Sequence, residues 1–140
     1  MLTKKVTYTN YNNEEVTDTL YFNLTEAELM EMQFTTEGGF KERIESVVET
    51  KDTKRIYETF KGIVLAAYGE KSPDGRFLDK GEDQSLAKRF THTEAYNKLM
   101  MEIMTDEKAA SAFFTGIMPK EMREKALKEE LIQDHKAPQK

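Results

Sequence analysis

The sequence predicts a mainly α fold of the α+β class: an N-terminal β-hairpin at residues 4–22, then about six or seven short helices in one compact bundle. Three observations predict it. Polar and apolar residues alternate within 4–22, which is the period of a strand. In the helical part, 25–134, apolar residues recur every three or four positions. A chain of 140 residues can also bury one core. We therefore expect a single domain over 1–134, with a frayed tail at 135–140.

The hairpin prediction depends on two segments rich in β-forming residues, 4–9 and 14–22, which flank the sequence Asn-Tyr-Asn-Asn at 10–13. Asparagine tolerates the positive φ that a tight turn requires. Leu20 and Phe22 are two positions apart and therefore lie on the same face of the second strand. An isolated hairpin is only marginally stable in water, so we expect this face to pack on the helices or on another subunit.

The first helix is predicted at about 26–34 and has two start signals. Thr25 occupies the N-cap position and Glu28 follows three residues later, which is the pattern of a capping box. Leu24 and Leu29 occupy the positions of a hydrophobic staple. Together these signals predict that the end of the hairpin is fixed at a defined angle to the first helix.

The remaining helices are predicted from apolar periodicity and from their caps. Gly38 and Gly39 should end the first helix region, because glycine is unfavourable within a helix. Asp52 is a predicted N-cap, and Thr91 with Glu94 forms a second predicted capping box. Helices are predicted at about 40–50, 53–68, 82–90 and 92–104, from Thr105 to Gly116, and at 119–134.

The longest predicted irregular segment is 69–82. Gly69 suits the position after a helix C-terminus, and residues 72–75, Ser-Pro-Asp-Gly, predict a β-turn. The carboxylates from Asp74 onward superficially resemble a calcium loop. However, a loop starting there would have Arg76 at its third position, where an oxygen ligand is required. We therefore expect a solvated polar loop rather than a metal site.

Composition excludes several classes of function. The chain has 21 basic and 26 acidic residues, a net charge of −5 and interspersed signs, so we expect no nucleic-acid partner. The longest apolar run, 63–68, is too short to span a bilayer, and the N-terminus does not read as a signal peptide, so we expect no membrane association. Cysteine is absent, which fits a cytoplasmic site of action and excludes cysteine nucleophiles and cysteine-ligated zinc.

Catalytic motifs are also missing from the sequence. His92 and His135 lie far apart, and no His-Glu-x-x-His pattern occurs. The Gly38-Gly39 pair is not followed by the Lys-Ser/Thr of a phosphate loop, and no serine has the glycine flanks of a hydrolase elbow. We therefore expect a protein that is not an enzyme and needs no cofactor. A small metal-dependent hydrolase around Asp74–Asp83 remains an alternative, which metal analysis would test.

Methionine is unevenly distributed along the chain, since five of the eight methionines lie in the C-terminal third, among phenylalanines. Methionine side chains are flexible and polarisable, so they adapt to irregular apolar partners. One interpretation is a surface for an amphipathic helix of another protein. The other is ordinary core packing. The candidate partner-binding residues are Met100, Met104, Phe113, Phe114, Met118 and Met122.

Four segments carry a family resemblance: YFNLTEAELMEM, TTEGGF, AYGEKSPDGRFL and FTHTEAYNKLMMEIMTDEKAASAFFTGIMPKEM. Taken in order, from about Val6 to Met122, they resemble tail assembly chaperones of long-tailed, siphovirus-type bacteriophages and prophages. No short motif of that family is sharp enough to assign binding residues to positions in this chain.

The resemblance implies a scaffolding factor that binds the tape measure protein, keeps it soluble and helps to recruit tail tube subunits. It also implies action in the host bacterial cytoplasm and absence from the finished virion. An unpaired edge of the hairpin is a site for strand addition, so a homo-oligomer is an open alternative. The alternative is a structural component retained in the virion, either a head–tail connector or a minor tail protein.

Overall fold

A computed structural model of the chain describes residues 1–119, except for the side chain of Lys41. It has a four-stranded antiparallel sheet and, within the described residues, six α-helices, which confirms the predicted fold class. The elements are β1 (Leu2–Thr9), β2 (Glu15–Phe22), α1 (Glu26–Thr35), α2 (Phe40–Thr50), α3 (Thr53–Ala67), β3 (Tyr68–Lys71), β4 (Leu78–Asp79), a 3₁₀ turn (Glu82–Gln84), α4 (Ser85–Phe90), α5 (Glu94–Thr105) and α6 (Glu107–Ile117).

The predicted hairpin is confirmed: β1 and β2 pair along their whole length. The turn between them is closed by the side chain of Asn10, whose Oδ1 accepts the backbone N–H groups of Asn12 at 2.9 Å and Glu14 at 3.0 Å. Asn13 adopts a positive φ of 60°. The strand order is β1-β2-β3-β4, so β1 forms one edge of the sheet.

The core is centred on Phe22, the last residue of β2, which is fully buried. Its ring meets those of Phe113, Tyr68 and Phe90 edge-on, with centroids at 5.0, 5.7 and 6.1 Å. Tyr68 and Phe90 stack in parallel at 4.1 Å. Aromatic pairs in these arrangements add stability beyond the area they bury. One ring from β2 therefore joins β3, α4 and α6 into a single core.

The N-terminus of α1 is capped as predicted. Thr25 Oγ1 accepts the backbone N–H of Glu28 at 3.1 Å, and the Glu28 carboxylate accepts the backbone N–H of Thr25 at 3.0 Å. Leu24, on the strand side of this box, is buried. Asp52 caps α3 through the backbone N–H groups of Lys54 and Arg55, which also confirms its prediction.

The predicted cap of α5 is wrong by two residues. Thr93, not Thr91, is the N-cap, and its Oγ1 accepts the backbone N–H of Tyr96 at 3.1 Å. An N-cap residue needs an extended backbone. Thr91 has helical φ and ψ of −62° and −16° because it continues the last turn of α4, so it cannot act as the cap. The helix therefore starts at Glu94 rather than at residue 92.

The segment 69–82 is more ordered than predicted. It contains part of β3, all of β4 and the start of a 3₁₀ turn. Gly69 lies in β3 opposite Tyr21 of β2, so its predicted place after a helix C-terminus is wrong. A Cβ on Gly69 would lie 2.6 Å from Leu78 Cγ, so the position requires glycine for close packing of β3 against β4. The predicted turn at 72–75 is confirmed by the bond from Gly75 N–H to Ser72 O at 2.9 Å.

Within residues 1–119, no helix has the length and apolar character needed to cross a membrane. No group of three or more Asp, Glu or His side chains in this part of the chain is arranged to hold a metal ion. The predicted seventh helix continues beyond the described residues and the predicted tail lies wholly outside them, so the domain bounds stay a prediction.

Candidate functional site: an apolar groove between α1, α2, α3 and α6

An open groove of about 860 Å³ runs between α1, α2, α3 and α6. We call it the apolar groove. Its floor is made by Leu24, Ile63 and Ile117, which are all buried. Its walls are made mainly by apolar side chains, one or two from each helix and from the residue after α6: Leu29, Met30, Phe40, Ile44, Phe60, Phe114 and Met118.

The floor is fixed by bonds between distant parts of the chain. The backbone N–H of Leu24 donates to the carbonyl of Ile117 at 3.0 Å, which ties the start of α1 to the end of α6. The rings of Phe60 and Phe114 lie 4.7 Å apart and join α3 to α6. The base of the groove is therefore continuous with the buried core.

The wall formed by α1 is different in character, because no residue of this helix is fully buried. Met30 lines the groove and is 58% exposed, and Phe34 is 79% exposed. These residues are four positions apart, so they lie on the same side of the helix. An apolar surface therefore continues from the groove along the outside of α1.

Lys80 holds the N-terminal end of α1 in place. Its Nζ donates to the carbonyl of Ala66 at 2.6 Å, to the carbonyl of Asn23 at 3.1 Å and to the Glu28 carboxylate at 2.5 Å. Burial raises the pKa of Glu28, but the hydrogen bonds from Lys80 and from the backbone N–H of Thr25 outweigh it, so the pKa lies below its ordinary value. One ammonium group thus joins α1, α3 and the segment after β4.

The rim of the groove is acidic. The ionisable side chains among its described lining residues are Glu26, Glu42 and Glu45. Glu42 Oε2 accepts a hydrogen bond from Gln33 Nε2 at 3.4 Å. Glu26 and Glu45 are exposed and form no ion pair within the described part of the chain. The site thus combines an apolar base with negative charge at its edges.

Comparison with known proteins places the chain in a family. The sequence model of one protein family, described as phage tail assembly chaperone, matches residues 1–140. The chain belongs to this family. This membership confirms the resemblance carried by the four sequence segments. It also implies that the chaperone has protein partners in tail assembly. Searches of curated proteins and of solved structures found no significant match.

The candidate partner-binding residues of the chaperone fall into separate places. Phe114 and Met118 line the apolar groove. Phe113 is buried in the core against Phe22. Met100, which is also buried, and Met104 border a second hollow of about 560 Å³ beside α5. Met122 lies outside the described residues. Of the five candidates within residues 1–119, two line the groove, and partner binding by the set stays a prediction.

The sequence did not predict that α1 and α2 contribute to the groove. Met30 and Phe34 were not identified as surface residues, and Phe40 and Ile44 of α2 have the spacing of an ordinary core face. The spacing of Met30 and Phe34 could have indicated this surface. Both residues are apolar, they are four positions apart, and they lie on a different side of the helix from Leu29. That spacing predicts a second apolar face on α1 in addition to the one facing the core.

Proposed function

We propose that this chaperone binds amphipathic helices of the tape measure protein in the apolar groove, keeps that protein soluble and helps to recruit tail tube subunits, without making or breaking a covalent bond. A tape measure protein is long and presents repeated apolar helix faces, which aggregate when they are exposed. A binder for such faces needs an apolar surface that adapts to different side chains. The proposal requires neither a cofactor nor a metal.

The observation that carries the proposal is the open apolar groove and its continuation along α1. Met30 and Phe34 are 58% and 79% exposed, although both are large apolar side chains. Contiguous exposed apolar surface of this kind is typical of a protein interaction site. A groove between helices fits the recognition mode in which a partner helix inserts its apolar face. Methionine at the edge suits variable partners because its side chain is flexible.

The proposal places the chaperone in the host cytoplasm during assembly and not in the finished virion. Binding sites repeated along one client strengthen the overall association through multivalency, so each groove can bind weakly and still be effective. Tail tube subunits that compete for the same helix faces would then release the chaperone. Mass spectrometry of purified virions separates this proposal from a structural virion component, since a retained component would be present in a fixed ratio to the tail proteins.

The decisive experiment compares two exposed methionines. Met30→Lys places a charge on the groove wall, and Met101→Lys makes the same change at a residue that is 56% exposed and borders the second hollow. Both variants should fold, because neither side chain is buried. Full burial of an exposed methionine is worth about 1.5–3 kcal/mol. Met30 is 58% exposed, so it can gain only part of this against a client, but the lysine charge adds a desolvation cost. We therefore expect Met30→Lys to weaken tape measure binding by about tenfold.

Binding would be measured by pull-down and by the soluble fraction of the tape measure protein on co-expression. We expect Met101→Lys to behave like the unmodified chaperone. If Met101→Lys abolished binding while Met30→Lys did not, the client would bind at the second hollow beside Met100 and Met104, and the groove assignment would be wrong. If neither substitution affected binding, the proposal would lose its structural support.

A further inference from the structure

The edges of the apolar groove carry negative charge, which bears on the kind of helix that the groove can bind. Carboxylates line the groove from two helices: Glu26 lies in the first turn of α1, and Glu42 and Glu45 lie in α2. No lysine or arginine is among the described residues that line the groove. A helix seated on the apolar base would therefore have negative charge beside it from both α1 and α2.

Glu26 and Glu45 differ from Glu28 in how their carboxylates are paired. The Glu28 carboxylate is held by Lys80 and lies outside the groove. Glu26 and Glu45 are exposed and have no ion-pair partner among the described side chains, which do not include that of Lys41. These two carboxylates are therefore available to a cation on a bound helix. A like charge placed beside them would be unfavourable.

We propose that the apolar groove selects amphipathic helices whose apolar stripe is flanked by lysine or arginine. Specificity for a partner is a difference between affinities, and the acidic edge contributes to it in both directions. It attracts basic flanks and repels acidic ones, while the apolar base supplies most of the affinity. This inference rests on the proposed function for the identity of the client, and it adds which segments of the client are bound.

Two synthetic helical peptides with the same leucine and methionine stripe provide the test. One carries lysine and arginine beside the stripe, and the other carries glutamate at the same positions. Their binding to the full chain would be measured by fluorescence anisotropy at low and at high salt. We expect the basic peptide to bind at least tenfold more tightly at low salt. We expect the difference to shrink at high salt, because exposed charges are screened.

The double variant Glu26→Lys/Glu45→Lys should reverse this preference. Its matched control, Glu15→Lys/Glu58→Lys, changes the net charge by the same amount at exposed residues that do not line the groove. We expect the control to keep the preference for the basic peptide. Equal loss of preference in both variants would show that the overall charge, and not the edge of the groove, makes the selection, and would overturn the inference.

Failure of the inference can be separated from failure of the proposed function by adding Met30→Lys to the series. If both peptides bind equally and Met30→Lys weakens both, the groove binds helices but does not select them by charge, so only this inference is wrong. If neither peptide binds, or if Met30→Lys affects neither, the groove is not a helix-binding site and both proposals are wrong. Circular dichroism of each variant would confirm that the fold is retained.

Discussion

Lys80 offers the sharpest test of how the α1 wall is held in place. Replacing it with methionine keeps the apolar stem and removes the ammonium group. The two backbone carbonyls of Asn23 and Ala66 then lose their charged donor, and the Glu28 carboxylate loses its cation. The Lys80 side chain is only 19% exposed, so water can replace the missing group only in part.

The expected cost follows from the three bonds. Hydrogen bonds to charged groups contribute about 1.5–3 kcal/mol each when they are well buried. Partial access of water and the retained bond from the Thr25 backbone N–H to Glu28 reduce that sum. We therefore expect Lys80→Met to lower the free energy of unfolding by about 2–4 kcal/mol. Such a loss is large for a protein of this size, whose total stability is about 5–15 kcal/mol.

The matched control is Lys4→Met. Lys4 also forms one ion pair, with Glu102 at 3.1 Å, but no other bond of its ammonium group is present in the described part of the chain. Its side chain and that of Glu102 are 27% and 44% exposed. Exposed ion pairs of this kind contribute about 0–1 kcal/mol. We therefore expect a clear gap between the two variants in urea denaturation followed by circular dichroism.

The pH dependence gives a second readout. The pKa of Glu28 is lower in the folded protein than its ordinary value of 4.5, so its pairing with Lys80 stabilises the fold fully above pH 4.5. That contribution is lost as the pH falls through the lower folded-state pKa. The gap between the unmodified chain and Lys80→Met should therefore narrow on acidification below pH 4.5. Equal costs for Lys80→Met and Lys4→Met at neutral pH would refute the reasoning.

Two further predictions concern glycine packing and helix capping, both measured by urea denaturation. Gly69→Ala should destabilise the fold by about 1–3 kcal/mol through contact with Leu78, whereas Gly62→Ala, which meets no atom within 4 Å in α3, should stabilise it by about 0.5–1 kcal/mol. A neutral Gly69→Ala would argue against close packing of β3 on β4. Thr93→Ala should cost about 1 kcal/mol and Thr91→Ala less, and the reverse order would contradict the observed cap of α5.

The features that were predicted correctly are those that depend only on residues close together in the chain. The Thr25 capping box, the Asp52 cap and the turn after Asn10 each involve atoms within four residues of one another. By contrast, β3 and β4 span four and two residues and are defined by pairing: Gly69 pairs with Tyr21 of a strand far earlier in the chain. Segments this short have too few positions for a periodic pattern, so the sequence alone could not predict them.

The cap of α5 and the groove could not be predicted from the sequence, for related reasons. Both Thr91 and Thr93 carry a hydroxyl suited to capping, and the choice between them depends on where α4 ends at the buried Phe90. The groove depends on the placement of four helices around a common base. Phe114 and Met118 were predicted as partner-binding residues from composition, but their neighbour Met30 on α1 becomes apparent only when the helices are assembled.

The arrangement around Phe22 also bears on how the chain is synthesised. Phe22 lies in the β1–β2 hairpin, and Phe113, against which its ring packs, is synthesised about ninety residues later. At about 5–20 residues per second, translation of that interval takes roughly five seconds or more. Throughout this time the apolar face of the hairpin has no α6 to cover it. The nascent chain therefore exposes this apolar face during that interval, and the translation rate sets how long the exposure lasts.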